Sequence, residues 1–99
     1  MKNHITVKHG MLPDLKDYLE KHGWIICETK GKYEVLRARN KMHPRPLIVW
    51  DRAEYGVGYS IDERDIKIYN FWKSDRRKRG LDSDWATEEE NKKYWSDLK

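Results

Sequence analysis

Cysteine is almost missing from this chain: Cys27 is the single one in 99 residues. That excludes an internal disulfide and a cysteine-based zinc site, and it fits a reducing compartment, with Cys27 read as a small buried hydrophobe. Long apolar runs are missing as well. No stretch approaches the roughly eighteen apolar residues of a membrane span, and no charged segment leads into an apolar one as in a signal peptide, so a cytoplasmic protein is expected. Phenylalanine occurs once, and the apolar volume rests instead on five Trp and six Tyr within a chain that is 38% charged. Such a chain can build one small core and leave part of its aromatic surface exposed.

Signatures of catalysis are also lacking. The four histidines, His4, His9, His22 and His43, show no H-x-x-x-H spacing and read as solvated side chains. The stretch "YGVG" has two glycines but neither a strand-to-helix setting nor a following Lys-Ser/Thr, so it reads as a loop rather than a phosphate cradle. Ser60 and Ser74 have no base at a meaningful spacing. Glu34 and Asp51 in neighbouring strands invite comparison with restriction-type nuclease cores, but the position where an assisting lysine would stand is Ala53, and alternation turns Glu34 away. No catalytic residue, metal or cofactor is therefore expected, and the chain reads as a non-enzymatic binding protein.

What the chain does have is unevenly placed charge. The net charge is +4, yet residues 24 to 52 hold seven cations against three anions, residues 73 to 80 five against one, and residues 82 to 91 five anions with no cation. A basic middle can attract phosphates, although surface charge is often only a solvated face.

Periodicity orders the elements. "MLPDLKDYLEKHG" reads as a helix, with Pro13 in the first turn, Asp14 and Asp17 near its positive end, Leu12, Leu15, Tyr18 and Leu19 at helical spacing, and Gly23 closing it. "WIICETKGKYEVLRARN" reads as a hairpin of strands near 24 to 30 and 33 to 39, and the run at 47 to 50 as a third strand. "HITVKHG" is left between an edge strand and irregular chain. Ser60 and Glu63 have capping-box spacing, and the polarity from Asp62, Glu63 and Asp65 to the cations at 76 to 79 predicts a helix over 62 to 77 that Gly80 stops. Thr87 and Glu90 announce a short last helix in the same way. The expected fold is thus α+β, a single domain over 1 to 99: helix, three-stranded antiparallel meander, helix, and a C-terminal helical segment over 83 to 99.

Strand alternation then collects candidate binding residues. It places Trp24 and Ile26 on the same side as Tyr33, Val35, Arg37, Arg39, Ile48, Trp50 and Arg52, with Ile25, Cys27, Leu36, Ala38, Leu47 and Val49 opposite as core. Aromatics interleaved with arginines suit base stacking and phosphate contact, and equally a protein interface. Trp24, Tyr33, Arg37, Arg39, Trp50 and Arg52 are the expected contact surface. Lys73, Arg76, Arg77, Lys78 and Arg79, within "FWKSDRRKRG", extend it electrostatically, and they exceed what a helix C-terminus needs. Consecutive cations point in all directions around a helix, so they suit an anchoring patch rather than a recognition helix.

"KYEVLRARN", "PLIVWDR" and "IDERDIKIYNFWKSDRR" together resemble small uncharacterised proteins carried by phages and prophages of Gram-positive bacteria, over roughly residues 23 to 78. The order of elements is also similar to that of some anti-CRISPR proteins. This resemblance implies an inhibitor encoded by a mobile element, acting in the bacterial cytoplasm on a host protein or nucleoprotein machine, with contact to RNA or DNA phosphates. The alternative is a direct DNA- or RNA-binding accessory or regulatory protein. Double-stranded-RNA-binding domains share the order, but their basic start to the last helix is replaced here by "DERD".

Overall fold

The computed structural model describes residues 4 to 51, 58 to 82 and 84 to 97. The strands are β1 (His4–Val7), β2 (Ile25–Cys27), β3 (Glu34–Arg39), β4 (Leu47–Trp50) and β5 (Tyr59–Asp62), and the helices are α1 (Leu12–Lys21), α2 (Ile66–Lys78) and α3 (Glu88–Asp97). Short 3₁₀ turns at His9–Met11 and Glu63–Asp65 lead into α1 and α2. The strands form one antiparallel sheet in the order β1-β5-β4-β3-β2. The expected α+β class holds, but the three-stranded sheet is corrected to five strands.

The two additional strands complete each other. Ile5 lies opposite Ile61, and Val7 opposite Tyr59. Ile61 also faces Val49, so an apolar row crosses β1, β5 and β4 toward the core. Ser60, expected to cap a helix, is instead a buried strand residue between Thr6 and Trp50. Alternating apolar side chains at 59 and 61 gain more from sheet burial than a local cap offers. The capping moves to Asp62, whose side chain accepts the Arg64 N–H at 2.9 Å. The helix expected over 62 to 77 therefore begins later, at Ile66 after the Glu63–Asp65 3₁₀ turn, and runs to Lys78, and Gly80 follows it with φ 82°, a conformation that costs glycine little.

One face of the sheet carries the core. Val7, Leu36, Ala38, Leu47, Val49, Tyr59 and Ile61 meet Leu15 and Leu19 of α1, Trp72 of α2 and Tyr94 of α3. Helix α1 crosses this layer, because β1 and β2 lie at opposite edges. Helix α3 opens on the predicted capping box: Glu90 N–H donates to Thr87 Oγ1 at 3.0 Å, and Thr87 N–H to Glu90 Oε1 at 2.8 Å. It lies against the His9–Met11 turn, and Tyr94 makes a hydroxyl–hydroxyl hydrogen bond with Tyr59.

Candidate nucleic-acid interface

The second face of β2, β3 and β4 is set by register. Ile25 lies opposite Arg39, Cys27 opposite Arg37, and Arg37 opposite Ile48, while Ile26 pairs with Ala38 of the core. The alternation expected for the first strand is therefore shifted by one: Ile26 turns inward, and Ile25 and Cys27 turn outward. Pairing with β3 decides this, since one residue of slip exchanges the two faces of a strand. Trp50, two residues along from Ile48, completes the outer row in a half-buried setting.

Of the six residues expected on this surface, Arg37, Arg39 and Trp50 share it. Trp24 precedes β2 and is buried in the core, with its ring 5.3 Å from that of His43. Tyr33 precedes β3 and is 59% exposed, with the Lys32 ammonium 5.6 Å from its ring. Arg52 lies outside the described residues. Arg37 donates from Nε and Nη2 to the two Glu34 carboxylate oxygens, at 3.0 Å each, and this pairing holds the Glu34 carboxyl down at about 2. Its charge is spent locally. Arg39 differs: it is exposed and has no acidic partner among the described residues.

Beside Arg39 the β3–β4 connection builds a rim. A groove of about 540 Å³ is lined by Ile25, Cys27, Arg39, Lys41, His43 and Arg45 with their neighbours. The connection is held in shape by its own bonds: Asn40 Oδ1 accepts the Met42 N–H, the Asn40 carbonyl accepts the His43 N–H, and His43 Nδ1 meets the Arg45 carbonyl at 2.9 Å. Arg45 ties it to the start of α2 through Asp65 at 2.8 Å. Burial pushes the Asp65 carboxyl up, against the lowering pull of Arg45. Lys41 is exposed and, like Arg39, unpaired among the described residues. Sequence reasoning misses Lys41 and Arg45 as site residues and reads His43 only as a solvated side chain. "KMHPRP" held the signal, cations interleaved with prolines in a loop joining two paired strands.

The cations of "FWKSDRRKRG" have a different fate. Arg76 is fully buried, and its five N–H groups are all used: the Asp82 and Trp85 carbonyls at 3.2 Å, Asp14 at 3.0 Å, and both Glu90 oxygens at 2.9 Å. Arg79 forks onto Asp14 at 2.9 Å and onto Asp75 at 2.8 Å. Lys73 pairs with Asp84 and stands over the Tyr69 ring. Lys78 is exposed, as is Arg77, which has interactions of its own. Burial raises the Asp14 carboxyl, but hydrogen bonds from Arg79, Trp72 and Arg76 outweigh it and bring it to about 2. Much of this cluster thus joins α1, α2 and the C-terminal segment internally.

Among the described residues no helix is long and apolar enough to cross a membrane. No protein-family model and no solved structure matches the chain. The chain is 32% identical over 102 aligned residues to a protein named as the cytoplasmic 60S subunit biogenesis factor REI1 homolog of Chaetomium thermophilum. That alignment takes in 91% of this chain and 18% of the relative, so the chain spans less than a fifth of the protein it matches. The match overturns the reading of the chain as a phage-encoded or anti-CRISPR-like inhibitor. It is to a protein named as a eukaryotic 60S subunit biogenesis factor, not to a phage protein.

Proposed function

We propose that this chain is a non-enzymatic RNA-binding module that serves a large-ribosomal-subunit assembly or maturation factor. The observation that carries the reading is the groove beside β3. There Arg39 and Lys41 stand exposed and without acidic partners among the described residues, next to exposed Ile25 and the outer row of β2, β3 and β4. Exposed cations beside a sheet face give phosphate attraction plus apolar surface for bases, the pairing on which sequence-tolerant RNA contact rests. The similarity to a protein named as a 60S biogenesis factor supports RNA rather than DNA as the partner.

Fluorescence anisotropy with a labelled oligouridylate and a labelled RNA hairpin, over a salt series, tests this. Binding should weaken with salt, and Arg39→Ala with Lys41→Ala should lower affinity and flatten the slope of log K against log salt by about two phosphate contacts. Neutralising Lys78 should have the smaller effect. No saturable binding of either RNA at low salt, or a double variant with unchanged affinity and slope, refutes the proposal.

A further inference from the structure

The outer edge of β2 has an unusual surround. β2 ends the sheet, with β3 on one side and no strand on the other among the described residues. Two grooves flank it. Ile25 lines the basic groove with Arg39 and Lys41. Ile26 lines a second groove of about 310 Å³ on the core side, with Leu12, Pro13 and Lys16 of α1, Thr29, Val35 and Leu36. Cys27, at the end of β2, borders both. One groove is cationic and the other mostly apolar, and they lie on opposite faces of the same free edge.

We infer that this edge is a docking site for an extended peptide in which apolar and acidic residues alternate. A chain adding to β2 as a sixth strand places successive side chains on opposite faces of the sheet. Apolar residues would enter the groove under α1, and the acidic residues between them would meet Arg39 and Lys41. Main-chain hydrogen bonds give such a complex its affinity, and the two grooves give it its pattern. β2 is only three residues long, which blunts the edge against indiscriminate pairing, so the side-chain grooves must supply selectivity. The inference rests on the groove used in the RNA reading but not on RNA itself. A peptide seated there shares Arg39 and Lys41 and would displace RNA.

The test uses the whole chain and three synthetic peptides: alternating leucine and glutamate, the same composition in two blocks, and the alternating peptide N-methylated at every second amide. Amide spectra should move at residues 25 to 29 and at Leu12 and Lys16 with the first peptide. The blocked and N-methylated peptides should bind roughly tenfold more weakly or worse. Thr29→Trp, at an exposed position that lines the apolar groove, should weaken the first peptide by a similar factor and leave RNA affinity unchanged. Equal binding of the blocked or N-methylated peptide, shifts confined to residues 39 and 41, or a silent Thr29→Trp each overturn the inference. If the alternating peptide binds as described and neither RNA does, the RNA reading falls and this one stands.

Discussion

Replacing Arg76 by Met is the most informative perturbation of the fold. The methionine chain can occupy much of the buried slot, so the change removes charge and donors with little cavity. Glu90 then keeps only its bond from the Thr87 N–H, and Asp14 keeps Arg79 and the Trp72 indole. Removing one partner of a buried pair costs about 3 to 5 kcal/mol. Asp14 and Glu90 retain 15% and 20% side-chain exposure, and Asp14 has its second arginine, so the lower end, about 3 kcal/mol, applies. For a domain of this size that lowers Tm by about 12 to 24 °C. Circular-dichroism melting at neutral pH reads it directly. Adding Glu90→Gln to Arg76→Met should recover part of the loss, because it removes the charge left stranded. A single variant that melts within about 2 °C of wild type, or a double variant whose losses simply add, refutes the claim that this network couples the helices.

Acid should reach the same network. Asp14 lies at about 2, below its ordinary 3.8, so its contribution is present above about pH 4 and fades as pH falls toward about 2. Urea midpoints across that window should drop in wild type and drop less in Asp14→Asn. Gly10→Ala places a methyl group against the Asn91 side chain and near Ala86. It should cost about 1 to 3 kcal/mol by overpacking, and Asn91→Ala should relieve it; equal melting of Gly10→Ala and wild type would mean α3 does not sit on that turn. Tyr94→Phe removes the hydroxyl partner of Tyr59, whose phenol burial and that hydrogen bond push up. Alkaline difference absorbance should show one tyrosine titrating earlier in the variant.

Local signals in the sequence carried well where a side chain served one role. Pro13, Leu15 and Leu19 mark α1, Thr87 and Glu90 mark the start of α3, and the polarity from Asp62 to Arg79 marks α2. They failed where pairing across distance decided. Ser60 and Glu63 have capping spacing, but the pairing of β5 with β1 and β4 is a long-range gain that no local window contains. Cys27 and Ile26 exchange faces for the same reason, since register with β3 overrides the apparent alternation. The candidate site was half legible: Arg37, Arg39 and Trp50 fall together, whereas partner choice is invisible in composition. Glu34 consumes Arg37, and Asp14 and Glu90 consume Arg76, while Lys41 in an unremarkable loop keeps its charge.

Strand β1 has a temporal consequence. Its pairing partner is β5, with His4 opposite Asp62, so β1 is made well before the strand it pairs with and waits for it. The β2-β3-β4 meander closes through short loops and can form early, but β1 must await a long loop closure, whose entropy slows it. Until then Ile5 and Val7 remain exposed, as does the edge of β4 that β5 will cover. A nascent chain released or stalled before residue 62 would present that unpaired strand edge to its surroundings, the kind of intermediate that draws chaperones or aggregates.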